Sequence, residues 1–93
     1  MATLGGWDIS EMKACKLPQK VASAWAEVTG EIVGVEYEPV LYVGSQVVNG
    51  TNYCLLALQT IVAPNAPKRL VKMVLHVDLD GTARLGTVRG VSL

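Results

Sequence analysis

Few residues in this 93-residue chain could carry catalysis. It has one histidine, His76, and two cysteines, Cys15 and Cys54. A cysteine and a histidine together could form a nucleophilic thiolate pair. Neither cysteine lies at a glycine-rich turn or an evident helix start, however. We therefore interpret His76 as a surface residue and both cysteines as small buried hydrophobic side chains, and we do not expect an enzyme.

The sequence predicts no metal or phosphate site either. No group of His, Cys, Asp and Glu has the spacing of metal ligands. Asp78 and Asp80 could form a pair of carboxylates, but beside Gly81 they are equally typical of a polar turn. Gly5 and Gly6 do not fall between a strand and a helix, as a phosphate-binding glycine motif requires. We expect no metal and no cofactor.

The composition and the charge balance exclude several classes of protein. Eight basic residues balance eight acidic ones. Since no run of like charges occurs, we expect neither a nucleic-acid partner nor a membrane surface. With 51% hydrophobic and 17% charged residues, the chain is apolar enough to fold. The length predicts a single domain over residues 1–93.

The start of the chain and its cysteine content indicate the compartment. Residues 1–6 lack the charged start and long apolar run of a secretory signal. The longest apolar run, residues 54–58, is too short to span a bilayer. Two cysteines are too few for the disulfide framework of a small secreted domain, so we expect both to be reduced, with a single bridge as the less favoured alternative. These features predict a cytoplasmic protein.

One segment has the pattern of a helix. Its apolar residues recur at helical spacing and share one face. They are Leu17, Val21, Ala24, Trp25 and Val28. Pro18 suits the first turn of this helix, and Gly30 suits the position just past its end.

The remainder of the chain is typical of strands. Residues 32–48 are rich in β-branched and aromatic residues, with Pro39 and Gly44 at bulge or edge positions. Residues 51–62 form a second strand, which the prolines of residues 63–67 end.

Residues 68–79 alternate between apolar and polar side chains, which predicts a half-buried antiparallel strand. The apolar set, facing the core, is Val71, Met73, Leu75, Val77 and Leu79, and the opposite set is Lys72, His76 and Asp78. Asp80-Gly81 predicts a two-residue hairpin before a last strand over residues 83–93. A helix followed by a meander of about four strands predicts an α+β domain, with the helix across one face of the sheet.

One candidate for recognition is the segment Gln46-Val47-Val48-Asn49-Gly50. Asn-Gly between two strand-like runs predicts a type I′ hairpin turn. Val47 and Val48 then lie at the tip, where at least one must be exposed. A stiff apolar tip could act as a recognition wedge, because little ordering entropy is lost when it docks. An equally open alternative is that both valines fold back onto the sheet.

The second candidate is Leu4-Gly5-Gly6-Trp7. Two glycines disfavour regular structure and leave Leu4 on a flexible arm. Composition alone favours a disordered tail. The alternative is an extended segment that offers Leu4 to an apolar pocket while the glycines allow close backbone approach to a partner.

Together these segments resemble the cystatin superfamily of cysteine-protease inhibitors, and within it the stefin-like branch of single domains without disulfides. The residues that match its Gln-x-Val-x-Gly motif are Gln46, Val48 and Gly50. Residues 51–53 continue the match, and Leu4 with the following glycine pair is similar to the family's N-terminal trunk. The resemblance covers essentially the whole chain. The second hairpin differs from secreted cystatins in lacking their Pro-Trp pair.

The resemblance implies that a twisted antiparallel sheet of about four to five strands wraps around one helix. It also implies a reversible, non-covalent inhibitor whose trunk and two hairpins plug the active-site cleft of a papain-like cysteine protease. The residues implied to contact the protease are Leu4, Gly5, Gly6, Gln46, Val47, Val48, Asn49, Gly50, Leu79, Asp80 and Gly81. The alternative is a non-inhibitory binding or assembly module on the same fold, and strand exchange would be one route by which such a module could form a domain-swapped homodimer.

Overall fold

The computed structural model describes Ile9 and residues 12–93. Over these residues the chain forms a helix, α1 (Gln19–Thr29), and then β1 (Val35–Val48), β2 (Gly50–Ile61), β3 (Lys68–Val77) and β4 (Ala83–Gly90). The four strands make one antiparallel sheet in the order β1-β2-β3-β4. The predicted α+β class is confirmed, and the arrangement is consistent with a cystatin-like fold.

Helix α1 buries Val21, Ala24 and Val28 of the predicted face, whereas Leu17 packs against the core from the segment before the helix. It begins after Pro18, whose carbonyl oxygen accepts the Ala22 N–H at 2.8 Å, and ends at the C-cap Gly30. One core cluster consists of Val21, Ala24, Val28, Leu55 and Leu75, and a second of Ala57, Val71 and Met73. Trp25 packs against both clusters. This side chain therefore connects the helix to both parts of the core.

Strand β1 lies at an edge of the sheet and is irregular at the two predicted positions. Its register against β2 shifts between Pro39 and Leu41, and again between Tyr42 and Gly44. Proline has no N–H for a ladder and is tolerated at an edge or a bulge. The segment that leads into α1 contacts this edge, where the Cys15 N–H donates to the Pro39 carbonyl oxygen at 2.9 Å.

The alternation of β3 is confirmed only as far as Val77. Met73 and Leu75 are fully buried, and Val77 packs against the first core cluster. Leu79, by contrast, is 81% exposed. The prediction that it faces the core is wrong, because β3 ends at Val77 and the chain turns from Asp78 onward.

The first hairpin is tighter than predicted. Only Asn49 separates the paired residues Val48 and Gly50. The backbone φ is positive at Gly50, at 104°, but not at Asn49, so the type I′ prediction is wrong. The reason is that β1 and β2 stay paired as far as Val48 and Gly50, which leaves one residue in the loop instead of two.

The second hairpin is longer than predicted. The Asp78 N–H donates to the Thr82 carbonyl oxygen, and the Gly81 N–H donates to the Asp78 carbonyl oxygen, both at 2.9 Å. Leu79, Asp80 and Gly81 therefore lie in the loop, and Gly81 supplies the positive φ, 91°, that closes it. The two-residue turn predicted at Asp80-Gly81 is wrong because Asp78 and Thr82 make the closing contact.

Candidate functional site

The two hairpins lie side by side at one end of the sheet. Thr51, just after the first hairpin, pairs with Val77, just before the second. In an antiparallel meander the first and third turns emerge at the same end, and the connection between β2 and β3 lies at the other. We call residues 46–50 and 78–82 together the hairpin end.

Apolar side chains project from the hairpin end. Val47 is 84% exposed and Val48 is 45% exposed, so neither valine folds back fully onto the sheet. Leu79 of the neighbouring loop is also exposed. Single exposed apolar residues are ordinary, but three in two adjacent turns offer a local surface for contact.

Gly50 makes a close contact between the two hairpins. It is buried, and a Cβ at this position would collide with the Val77 carbonyl oxygen and lie 3.1 Å from His76 Nε2. L-residues also rarely adopt its positive φ. Both the backbone conformation and the lack of space therefore require glycine here.

A row of polar side chains crosses all four strands beneath the hairpin tips. The strand register aligns Gln46 with Asn52, Asn52 with His76, and His76 with Arg84. Asn52 Nδ2 donates to Gln46 Oε1 at 3.1 Å, and Asn52 Oδ1 lies 2.7 Å from His76 Nδ1. His76 Nε2 lies 3.0 Å from Asp78 Oδ1, which in turn lies 3.6 Å from Arg84 Nη2. These contacts connect the first hairpin to the second.

The interpretation of His76 as a surface residue is wrong. Its side chain is only 15% exposed, with Asn52 and Asp78 as hydrogen-bonding neighbours and Gly50 packed against the ring. Sequence reasoning did not identify these residues as one group. The alternation of β3 places His76 opposite the core, but only the register of β2 against β3 brings Asn52 beside it.

The cysteines and the carboxylates take ordinary positions. Cys15 and Cys54 are free thiols, and both are half-buried rather than buried as predicted. Asp80 Oδ1 accepts the Thr82 N–H at 2.9 Å. This bond from the Thr82 backbone, with a further one from its hydroxyl, lowers the pKa of the Asp80 carboxyl below the ordinary value. Within the described part of the chain, no three His, Cys, Asp or Glu side chains are grouped as metal ligands.

A shallow groove of about 480 Å³ adjoins the second hairpin. Gln19 and Lys20 at the start of α1 form one wall, and Val77 and Gly81 form the other. Tyr53 and Ala83 also line it. The start of the helix therefore lies beside the hairpin end.

The structure brings most of the predicted contact residues together. Both predicted hairpin sets, residues 46–50 and 79–81, lie at the hairpin end. The predicted trunk residues Leu4, Gly5 and Gly6 lie outside the described residues.

Comparison with known proteins gives no match: no protein-family model, curated protein or solved structure matches this chain. The cystatin-like resemblance therefore stays a prediction from the sequence motifs, whereas the α+β arrangement is observed. None of the helices among residues 12–93 is long and apolar enough to cross a membrane.

Proposed function

We propose that this protein is a reversible, non-covalent inhibitor of papain-like cysteine proteases that blocks the active-site cleft with its hairpin end. The observation that carries the proposal is the side-by-side placement of two hairpins that present Val47, Val48 and Leu79 to solvent. The first of these hairpins also contains the Gln-x-Val-x-Gly motif of the sequence resemblance.

The construction of the hairpin end supports a rigid wedge. Gly50 packs against Val77 and His76, and the loop from Asp78 to Thr82 is closed by its own backbone hydrogen bonds. A preorganised surface loses little conformational entropy on binding, so more of the gain from burying apolar side chains appears as affinity.

The proposed mechanism is steric. The exposed apolar tips contact the walls of the cleft, and no bond to the protease is formed. The proposal includes the trunk, with Leu4 in an apolar subsite and Gly5 allowing the chain to turn away. An interface of standard size buries about 800 Å² on each partner, which the two tips and the trunk would supply together.

The test is titration of the purified protein against a papain-like protease such as papain, after separation of monomer from dimer. We expect the monomer to inhibit. Val48→Asp should weaken inhibition at least about tenfold, since a charge replaces a central apolar contact. Val33→Asp is the matched control, because Val33 is 93% exposed and precedes β1 at the other end of the sheet.

Two outcomes would contradict the proposal. One is a folded monomer that leaves the protease fully active at micromolar concentration. The other is equal inhibition by the Val48→Asp and Val33→Asp variants. A dimer that exchanges strands through the first hairpin, without inhibition by either form, would favour the alternative of an assembly module.

A further inference from the structure

We propose that His76 is a positioning residue that holds the two hairpins at one relative position and orients the side-chain amide of Gln46. The coupling between the hairpins is a property of the free protein. Its effect on protease binding rests on the proposed function.

The first argument is where the ring lies. On one side, His76 Nδ1 is 2.7 Å from Asn52 Oδ1, and Asn52 is bonded to Gln46 of the first hairpin. On the other side, His76 Nε2 is 3.0 Å from Asp78 Oδ1 at the start of the second hairpin. Gly50 packs against the same ring. One side chain therefore contacts groups that belong to both hairpins.

The second argument is burial. The His76 side chain is largely shielded from water, whereas the side chains of Asp78 and Arg84 are 40% and 67% exposed. Water competes weakly for a shielded hydrogen bond and strongly for an exposed ion pair. The contacts of His76 should therefore contribute more to the hairpin geometry than the contact between Asp78 and Arg84.

The third argument is the direction of the hydrogen bonds. Both ring nitrogens face oxygen atoms, so an imidazolium ring donates to Asn52 and to Asp78. A neutral ring has one N–H. If that proton stays on Nε2, facing Asp78, then Nδ1 can only accept, and Asn52 must turn its amide to present Nδ2.

That turn of Asn52 has a consequence at the first hairpin. The Oδ1 atom of Asn52 would then face Gln46. To keep the hydrogen bond between the two side chains, Gln46 must turn its own amide so that Nε2 donates. The orientation of the Gln46 amide therefore follows whether Nδ1 of His76 carries a proton, although the two side chains are not in contact. The charged groups that adjoin the ring are Asp78, just past the end of β3, and, through Asp78, Arg84 on β4. Strands β1 and β2 contribute the neutral Gln46 and Asn52.

The first test follows amide hydrogen exchange in the free protein. His76→Val should accelerate exchange of the amides in residues 48–52 and 78–82 by about two- to tenfold, the range expected for the loss of one hydrogen bond. Amides at the buried residues Leu55 and Met73 should keep their rates. Lys72→Gln is the matched control, because Lys72 is exposed on the same strand and the same face. Unchanged rates in residues 48–52 would overturn the proposal.

A second variant keeps the test decisive if His76→Val does not fold. Asp78→Ala removes the contact of His76 with the second hairpin and should accelerate amide exchange at Gly50 of the first hairpin and at the adjacent Thr51. Arg84→Ala removes only the exposed ion pair with Asp78 and should leave exchange at these two amides unchanged. Equal effects of the two variants on the first hairpin would contradict a role for His76.

The side-chain amide of Gln46 gives a readout that a purely structural role would not move. Its NMR signals should shift in His76→Val relative to the wild-type protein, because Asn52 loses the ring that orients its amide. They should stay unchanged in Lys72→Gln. The Gln19 side chain on α1 is the internal control. Gln46 signals that are the same in His76→Val and the wild type would refute the orienting role.

The protease assay separates this proposal from the proposed function. If the exchange and NMR results hold but the protein inhibits no papain-like protease, the coupling stands and the proposed function fails. If the protein inhibits and His76→Val alters neither exchange nor affinity, the proposed function stands and the positioning role is wrong.

Discussion

Gly50 lies against the carbonyl group of Val77, so the first hairpin packs onto the backbone of β3 where the second hairpin begins. A side chain at residue 50 would occupy the space that this carbonyl oxygen fills. The path of the first hairpin and the end of β3 are therefore set together.

Gly50→Ala should lower the free energy of unfolding by about 2–4 kcal/mol. Alanine at this position would have to keep a positive φ, which non-glycine residues rarely adopt. Its methyl group would also displace the Val77 backbone. Urea unfolding followed by circular dichroism measures the change. Gly44→Ala is the matched control, because its Cβ would meet no atom within 4 Å and its φ is not positive. Equal destabilisation by both substitutions would show that neither the positive φ nor the contact with Val77 makes glycine necessary at residue 50.

Leu75→Ala and Leu79→Ala should differ sharply in stability, although the sequence pattern treats them alike. Leu75 is fully buried, and its truncation should cost about 2–5 kcal/mol. Leu79 is exposed beyond the end of β3, and its truncation should change stability by less than about 0.5 kcal/mol. Thermal or urea unfolding compares the two. A large loss from Leu79→Ala would mean that this side chain packs against the body of the protein.

If the protein acts by the proposed mechanism, Val47→Ala and Leu79→Ala should each weaken protease inhibition about tenfold without changing the unfolding midpoint. Both side chains are exposed in the free protein, so their contribution arises only when a partner covers them. Inhibition constants against papain measure the effect, and Val33→Ala serves as the control at the far end of the sheet. Inhibition that is insensitive to Val47 and Leu79 would place the contact surface away from the hairpin end.

The Asp80 carboxyl should titrate below its ordinary pKa of 3.8 in an NMR titration of the folded protein. The backbone N–H and hydroxyl of Thr82 bond to the charged form and favour it. Because the folded-state pKa is lowered, the bonded carboxylate stabilises the fold above 3.8 and loses this effect as pH falls through the folded-state value.

Asp80→Asn should therefore make the free energy of unfolding fall less as the pH is lowered. The difference should be small because the carboxylate is fully exposed. Thr82→Val should bring the pKa of Asp80 closer to its ordinary value while leaving the backbone bond in place. An Asp80 carboxyl that titrates at its ordinary value would refute the bonded geometry of this loop.

The elements of the fold could be predicted from the sequence because their signals are local. The spacing of Val21, Ala24 and Val28 already defines a helical face, and alternation along residues 71–77 already defines a strand with one buried side. Pro39 and Gly44 predicted the irregularities of β1 for the same reason, since the limits on their backbones do not depend on distant residues.

The hairpin geometry and the polar row were decided by the tertiary structure. Alternation continues in the sequence through Leu79, and only the closure of the loop between Asp78 and Thr82 ends β3 at Val77. Asn52 and His76 are 24 residues apart and meet because β2 pairs with β3 in one register. Register is a long-range property, set by how whole strands fit against the core and against each other. The sequence by itself determined the helix, the strands and their apolar faces, while strand pairing decided which polar side chains meet beneath the hairpin tips.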